Sequence, residues 1–476
     1  MPSPITSSGV LDVQGIVSAL IKSESAPLTK LQAEAKKADV KISSYAKIQS
    51  ALAAFRDSAA TLSRASAWQG VKATSSSTAV EITARAGAAA TQMDIQVQQL
   101  AAAQTVSSGT FASADAVVGG GTLNIQLGTR PSGNTSFTPD AARPAVAVSI
   151  PANATLAQVR DAINASDSGV RASIVKDGDQ VRLFMTGSSE GGNQAFNITA
   201  TDDDGNDTNT AGLSALAFNP PAASGAGSNM TLARSAADAQ YTLDGVALTS
   251  RSNRISGAID GVDLVLRQVT SGPVQLDVKV DPDAMQAGMQ KFVDAYNALN
   301  TLMAEQTRYD AATKTAGNLQ GDSSAVGILN QVRGAMAGAV SGSALGRLSD
   351  AGISVQRDGS LSLNASRFKE VAADPENLQT LFSAAGTSDA TKGMMVRLRE
   401  LGDRLLSAGG TVSNSTATWE ARKASLMKRQ EAYQVRLGDI EKRLMAQYTR
   451  LDAMLVSAQA SGAQLQSALS GLPRIG

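Results

Sequence analysis

The spacing of apolar residues divides the chain into two helical ends and a strand-like middle. From the start to about residue 70, and again from about residue 280 to the end, apolar side chains recur every three or four positions, as on an amphipathic helix. Between these ends, short alternating runs of apolar and polar residues are separated by Gly, Ser, Thr and Asn, as in strands joined by turns. This order predicts that the two ends fold together and that the middle is an insertion.

The first long helix is predicted from Pro27 onward, because a proline at the first helical position lacks only an N–H that would be unpaired anyway. The residues between its apolar positions are mostly charged or polar, which indicates one apolar face. Its steps alternate between three and four, with one extra step of three from Tyr45 to Ile48, which is the spacing of one face of a helix. The stripe comprises Leu28, Leu31, Ala35, Ala38, Ile42, Tyr45, Ile48, Leu52, Phe55, Ala59 and Leu62.

The last segment carries a heptad repeat with apolar residues at its a and d positions, over about four heptads. One polar member, Gln447, is of the kind that fixes the register of a coiled coil at some cost in stability. Two interpretations are open: the helix packs on its own domain, or it pairs with the N-terminal helix or with neighbouring subunits, which the repeat favours. The two series are Leu437, Leu444, Leu451, Ala458, Leu465 and Leu426, Tyr433, Ile440, Gln447, Met454.

Further helices are marked by their start signals. Asp281 and Pro282 are placed as N-cap and first helical residue, and another helix is predicted from about Ser323. An Asp358-Gly359 turn between alternating apolar residues predicts a β-hairpin, and Asn364 is placed to cap the short helix that follows.

The middle of the chain predicts two β-rich domains, the more distal inserted in the nearer one. One helix interrupts its strands, with Thr155 as N-cap, and the stretch 176–179 reads as a tight turn between two strands. The run 219–229, rich in Pro, Gly, Ser and Ala, is interpreted as a linker or a long loop.

The predicted fold is therefore α+β and multidomain. The N- and C-terminal helices form a coiled-coil or helical-bundle leg, with two inserted β-rich domains. The expected boundaries are a flexible N-terminal segment 1–35, a helical leg 36–75 and 282–455, a proximal β domain 76–105 and 238–281, a distal β domain 106–237, and a flexible C-terminal segment 456–476.

Composition removes several classes of chemistry. The 476 residues include 42 basic and 42 acidic side chains, and this balance argues against a nucleic-acid-binding protein. The sequence has no Cys and no His, so it lacks disulfides, the usual zinc and haem ligands, and the base of Ser–His and Cys–His catalysis. No carboxylate pair stands in a hydrolase setting. We therefore expect neither an enzyme nor a protein that needs a cofactor.

Three local features each have two interpretations. The acidic stretch 201–207 fails the spacing of an EF-hand, so an exposed polar turn is favoured over a weak ion site. Trp68 and Trp419 suit packing between helices or between the helical and β parts, or else an interface anchor. The start of the chain lacks the basic region of a secretory signal, and the apolar stretch 10–21 is too short and polar to span a membrane.

Three stretches of the sequence follow one another in a recognisable order. They are 8–17 continuing through 27–31 to 43–45; 244–246 with 252–255 and 261–264; and 292–297 with 317–319 and 352–361. In this order they resemble the flagellar filament cap family, hook-associated protein 2. The stretch 106–237 matches least sharply, and Val10-Leu11-Asp12 stands where the family often has Gly-Ile/Leu-Asp.

The resemblance implies a structural protein of the bacterial flagellum that supports filament elongation and motility. It implies export through the flagellar type III channel without a cleaved signal, and an extracellular position at the filament tip. The implied assembly is a ring-like homo-oligomer, often described as a pentamer, whose β-rich domains form a lid and whose helical legs reach the filament. The implied partners are further copies of the chain, flagellin, hook–filament junction proteins and a flagellar export chaperone.

The terminal apolar stripes are the predicted contacts with other copies and with the filament. Burying such faces contributes about 25 cal/mol per Å² of apolar surface, less the cost of ordering. We expect the outermost residues to be exposed in a single chain and to order only against each other and against neighbouring subunits. The predicted contact residues are Ile16, Val17, Leu20, Leu28, Leu31, Ile42, Tyr45, Leu437, Ile440, Leu444, Leu451 and Leu465.

Two other functions stay open at this stage. The β domains also suit a surface adhesin that binds host mucin or glycan. An inert helical rod or a flagellin-like filament subunit is a further alternative, which the hairpin and the inserted lid disfavour.

Overall fold

The computed structural model describes residues 11–131, 136–312 and 314–470. Its contacts divide the chain into a helical unit, Met1–Trp68 with Asp283–Gly476, and a β unit, Gln69–Pro282. The predicted α+β multidomain fold, with the two ends of the chain together and the β-rich middle inserted, is confirmed.

The helices differ greatly in length, and the last is the longest of those in the described residues. They are α1 (Val13–Glu24), α2 (Ala26–Leu62), α3 (Leu156–Ala165), α4 (Pro282–Thr307), α5 (Ser323–Ala337), α6 (Ala365–Ala372), α7 (Pro375–Ser383), α8 (Met394–Leu406) and α9 (Thr411–Ser470).

Most strands lie in the β unit. They are β1 (Val71–Ser75), β2 (Val80–Ala84), β3 (Thr91–Gln99), β4 (Thr105–Phe111), β5 (Val117–Thr129), β6 (Thr138–Pro139), β7 (Val146–Thr155), β8 (Val170–Asp177), β9 (Gln180–Gly187), β10 (Ala195–Asp202), β11 (Thr231–Arg234), β12 (Ala239–Leu243), β13 (Val246–Ser250), β14 (Arg254–Ile259), β15 (Val262–Leu266), β16 (Val274–Val280), β17 (Tyr309–Asp310), β18 (Thr315–Ala316), β19 (Ile353–Val355) and β20 (Leu361–Leu363).

The helical unit is built around α2, which packs against α9 and α8. The predicted apolar stripe is the buried face of this helix from Ala38 onward, while its first turns are half-buried. Trp68 follows α2 and is fully buried, with its ring stacked on Phe382 at a centroid distance of 4.8 Å. The packing interpretation of Trp68 is therefore confirmed.

The predicted hairpin is present as β19 and β20, and α4 holds its turn. The Tyr296 hydroxyl donates to the carbonyl oxygen of Gly359 over 2.9 Å, and the Asn297 side chain donates to the carbonyl oxygen of Leu361 over 2.9 Å. The side chain of Asn364 accepts from the N–H of Arg367 and caps α6, as the sequence predicts. These bonds explain why two separate sequence stretches, 292–297 and 352–361, belong to one pattern.

The β unit contains two separate hydrophobic clusters. The proximal β domain has a five-stranded sheet in the order β1-β16-β3-β12-β13 and a three-stranded sheet in the order β14-β15-β2. The distal β domain, which runs from β4 to β11, has one sheet in the order β11-β4-β9-β8 and a second in which β10, β7 and β6 all pair with β5. Helix α3 belongs to the distal domain, and Thr155 caps it in a capping box with Gln158.

Two boundaries differ from the expected ones. The sequence places 71–75 in the helical leg, but these residues form β1, whose backbone is paired with β16 from Val71 opposite Val280 onward. The terminal segments expected to be flexible are helical where they are described, from Val13 in α1 and up to Ser470 in α9. Their flexibility stays a prediction, and residues 1–10 and 471–476 lie outside the described residues.

Candidate assembly interface

The two ends of the chain form an antiparallel helical layer. The Asp452 carboxylate accepts from the N–H of Leu11 over 3.0 Å, and the Tyr433 hydroxyl donates to the carbonyl oxygen of Glu24 over 3.0 Å. Lys423 pairs with Asp39 at 2.6 Å. Residue numbers on α1 and α2 thus rise as those on α9 fall. The heptad helix pairs with the N-terminal helices of its own chain, which is one of the two arrangements that the repeat predicted.

This pairing buries part of the predicted contact set within a single chain. Val17 is 3% exposed and Tyr45 is 0% exposed, and Leu437 is buried as well. The expectation that the N-terminal stripe is exposed in a lone chain is therefore wrong for Val17, because α1 packs along α9. The half-buried members of the set are Ile16, Leu28, Leu31, Ile42, Ile440 and Leu444.

The remaining members of the set are exposed. Leu20 is 38% exposed, Leu451 is 45% exposed and Leu465 is 65% exposed. Gln447 is also exposed, so the structure gives it no seam contact that would fix register. The apolar face that the sequence treats as one seam is covered up to about Leu444 and uncovered beyond it.

Helix α9 continues beyond Asp452, the residue that contacts the first described residue of the N-terminal arm. From Asp452, which holds Leu11, it runs on to Ser470, a distance of about 27 Å at the rise of an α-helix. The sequence of this extension, 453–470, contains no charged residue and is rich in Ala, Ser and Gln. The larger apolar side chains on it are exposed; they include Met454, Leu455, Leu465 and Leu469.

A groove between α2 and α9 lies beside the paired region. Pro27, Leu31 and Tyr433 form its apolar part. Lys30, Glu34, Arg429 and Arg436 also line it, so three basic side chains face one acidic one. The second tryptophan lies further along the same layer: Trp419 is half-buried, with the Lys41 ammonium 4.3 Å from the centre of its ring.

Tyr45 shows why one predicted contact residue belongs to the core instead. Its hydroxyl donates to Oδ1 of Asp322 over 2.7 Å, and burial raises the pKa of the phenol to about 12. The burial of Tyr45 is thus complete without a second copy. The sequence shows only that this position faces inward, since Asp322 lies 277 positions away.

Residues 11–131, 136–312 and 314–470 contain no group of three or more acidic side chains placed to hold a metal ion. In the acidic stretch, Asp202 is buried and accepts from the N–H and hydroxyl of Ser214 over 2.7 and 2.9 Å. Its carboxylate therefore stabilises the loop between Asp202 and Ser214. Of the helices described, none is long and apolar enough to cross a membrane.

Comparison with known proteins covers nearly the whole chain. The profile described as "Flagellar hook-associated protein 2 N-terminus" matches residues 9–104, and "Flagellar hook-associated protein 2 C-terminus" matches 236–460. A "Flagellin hook IN motif" matches 132–189, within the stretch where the sequence pattern was least sharp.

Individual relatives agree with these profiles. The A-type flagellar hook-associated protein 2 of Pseudomonas aeruginosa is 29% identical over 97% of this chain and 96% of its own length. The flagellar hook-associated protein 2 of Escherichia coli K12 is 28% identical over 97% of each chain. The crystal structure of the flagellar cap protein FliD D1-D2-D3 domains from Escherichia coli superimposes with a TM-score of 0.63 at 28% identity, covering 79% of this chain and 99% of that one. The chain belongs to the flagellar hook-associated protein 2 family.

Proposed function

We propose that this protein caps the distal end of a bacterial flagellar filament and promotes the folding and incorporation of exported flagellin there. Filament elongation and motility depend on that role. The protein acts as a structural component and not as an enzyme. The family and the solved relative named as a flagellar cap protein support the role.

The observation that carries the proposal is the uncovered end of α9. This uncharged helical stretch exposes Met454, Leu465 and Leu469 to water. Hydration of such apolar surface is unfavourable, so covering it with another surface lowers the free energy. Its many small residues allow a neighbouring helix to approach closely. We infer that copies of the chain, and the filament beneath them, provide that cover.

The rest of the proposal follows the family. Several copies form a ring-like homo-oligomer, the pentamer that the resemblance implies, with the β domains as a lid and the helical layers as legs. Flagellin, hook–filament junction proteins and a flagellar export chaperone are the proposed partners. The proposed location is the outer tip of the flagellum, reached through the flagellar type III route.

Replacing Met454 and Leu465 together by Asp tests the proposal. Both side chains are mostly exposed, at 70% and 65%, so the single chain keeps its melting temperature. Size-exclusion chromatography with light scattering should show loss of the oligomer. Expressed in a strain that lacks its own cap protein, the variant should leave filaments short or absent in electron micrographs.

The matched control places the same charges elsewhere on the same helix. Ser457→Asp and Gln464→Asp are exposed positions off the heptad seam. This control should keep both the oligomer and the filaments. Normal filament growth with Met454→Asp/Leu465→Asp would refute the proposed role of the α9 end.

The adhesin alternative gains no support. The aromatic side chains of the β unit that could stack on sugar rings, Phe111, Phe137, Phe184, Phe196, Phe218 and Tyr241, are all buried or half-buried. The named relatives are flagellar hook-associated proteins.

A further inference from the structure

Two short segments, 100–104 and 235–238, connect the proximal and distal β domains, and together they form a neck. The N–H of Ala102 donates to the carbonyl oxygen of Ala237 over 2.9 Å, and the N–H of Ala237 returns a bond of 3.0 Å to Ala102. The neck is thus a two-stranded ribbon one residue pair long.

Such a ribbon is too weak to fix an orientation by itself. An isolated pair of strands is marginally stable at best, and the side chains at 101–103 and 236–237 are all alanine, which bury little apolar surface. Without other contacts, the neck would act as a hinge. The orientation of the distal domain therefore depends on polar contacts around the neck.

One neck strand is fastened at both ends by amide side chains. On the proximal side, Asn253 accepts from the N–H of Ala101 and donates to its carbonyl oxygen, each over 2.9 Å. On the distal side, the buried Gln104 donates to the carbonyl oxygen of Phe196 over 2.8 Å and accepts from its N–H over 3.2 Å. Each amide pairs with a backbone group in both directions.

Glu190 crosses from the distal domain to the proximal one without passing through the neck. Its Oε1 accepts from the Ser252 hydroxyl over 2.7 Å and from the N–H of Asn253 over 2.6 Å, and its Oε2 accepts from Asn253 Nδ2 over 2.6 Å. Hydrogen bonds to an ionised acceptor are roughly twice as strong as neutral ones. The side-chain amide of Asn253 has both of its hydrogens and its oxygen engaged by these contacts and by Ala101.

The next residue shows how closely the two domains approach. Gly191 has φ +117°, and a Cβ there would lie 2.6 Å from the carbonyl oxygen of Arg251 in the proximal domain. Its N–H donates to Ala102 over 3.2 Å, and the N–H of Gly192 donates to the Asp238 carboxylate over 2.6 Å. The loop 190–192 therefore contacts both the neck and the proximal domain.

We propose that Glu190 and Asn253 form a lock that holds the two β domains in one orientation, so that the β unit moves as a single rigid body. Asn253 is the central positioning residue, because it holds the neck strand and the Glu190 carboxylate at once. This assigns a role to the stretch 252–255 of the family pattern. The lock is a property of the single chain and does not depend on the proposed cap function.

Spin-label distance measurements test the lock on the full-length protein. The sequence has no Cys, so Val175→Cys in β8 and Val246→Cys in β13, both exposed, give one label in each β domain. The doubly labelled chain is diluted with unlabelled protein, which removes distances between copies. The parent should give a single narrow distance distribution.

Two near-isosteric substitutions should broaden the distance distribution between the two labels. Glu190→Gln places an amide donor against the Asn253 donors, and Asn253→Asp places a second carboxylate against Glu190. Each should raise the population of other orientations by roughly tenfold or more, the equivalent of one lost charge-assisted hydrogen bond. The combination Glu190→Gln/Asn253→Asp lets the introduced amide donate to the introduced carboxylate and should partly restore the narrow distribution.

Glu81→Gln is the matched control, because it breaks an exposed ion pair with Arg267 inside the proximal domain. It should leave the distribution narrow. Distributions that stay narrow in both single variants would overturn the lock, as would equal broadening by Glu81→Gln. Circular dichroism checks folding, and if Asn253→Asp does not fold, the Glu190→Gln distribution alone decides.

Discussion

The Tyr45 hydroxyl and the Asp322 carboxylate are joined by a 2.7 Å hydrogen bond between two distant parts of the chain. The same Oδ1 of Asp322 accepts from the N–H groups of Ser324 and Ala325 and so caps α5. One carboxylate thus fixes the start of α5 and its position against α2. The bond is a structural contact of the helical unit, although Tyr45 stands on the stripe that the sequence assigned to assembly.

The buried phenol of Tyr45 predicts a stability change at alkaline pH. Burial raises its pKa to about 12, with a further contribution from the Asp322 carboxylate, against about 10 in an unfolded chain. The raised pKa stabilises the folded state fully below pH ~10, and this contribution is lost as the pH rises through ~12, by roughly 2 kcal/mol. Tyr45→Phe should cost about 1–2 kcal/mol at pH ~8, and this deficit should shrink at pH ~12 in urea unfolding. A deficit that does not change with pH would contradict the assignment.

Trp68 and Trp419 should differ sharply in their effect on stability. Trp68 is fully buried, stacks on Phe382 and donates its indole N–H to the carbonyl oxygen of Leu62 over 2.8 Å. Trp68→Ala should lower the free energy of unfolding by about 3–5 kcal/mol in denaturant titration. Trp419→Ala, at a half-buried position, serves as the comparison and should cost about 1 kcal/mol. Equal losses in the free energy of unfolding for the two variants would contradict a stabilising role for the Trp68–Phe382 stack.

Asp452 should control the exchange of backbone amides in α1. Its bond to the N–H of Leu11 holds the start of the N-terminal arm on α9. Asp452→Ala should speed hydrogen exchange across Val13–Glu24 by about fivefold, the effect of one hydrogen bond of about 1 kcal/mol. Exchange in the second half of α2 should not change. Asp439→Ala removes an exposed carboxylate from the same helix and should leave the hydrogen-exchange rates of α1 unchanged.

Asp202 should matter for the stability of the distal β domain and not for calcium binding. Removing its carboxylate leaves the buried N–H and hydroxyl of Ser214 without this acceptor. Asp202→Ala should therefore cost about 1–3 kcal/mol, whereas Asp203→Ala, at an exposed position, should cost little. Calorimetric titration of the parent chain with calcium should give no heat of binding. A saturable signal abolished by Asp202→Ala would revive the ion-site interpretation.

Local signals in the sequence predicted the elements that depend on local bonds. The cap at Thr155, the cap at Asn364 and the two-residue turn at Gly178 and Asp179 all appear as expected. Each is fixed by contacts within a few residues, so the local sequence is enough to predict it.

Elements that depend on distant contacts were missed. In β4, Ser107, Ser108 and Gly109 interrupt any apolar alternation, and the strand is specified instead by its neighbours: the buried Ser108 hydroxyl accepts from the N–H of Leu183 over 2.9 Å. Helix α8 begins after Gly393 without a side-chain cap, so no start signal marks it.

The candidate interface was predicted in part. The heptad spacing identified the apolar seam, but how much of it α1 covers follows from contacts between distant positions, such as the Asp452–Leu11 bond. Likewise, the stretch 252–255 stood out in the sequence, while the role of Asn253 requires knowing that Ala101 and Glu190 lie beside it.

The pairing of β1 with β16 has a consequence for how such proteins diversify. The chain enters the β unit and leaves it on adjacent strands, with Val71 opposite Val280 and the N–H of Asp281 bonded to the carbonyl oxygen of Gly70. Everything between these strands is in effect a cassette with its two ends side by side. Evolution can lengthen, trim or exchange that cassette while the flanking helices keep the same attachment points.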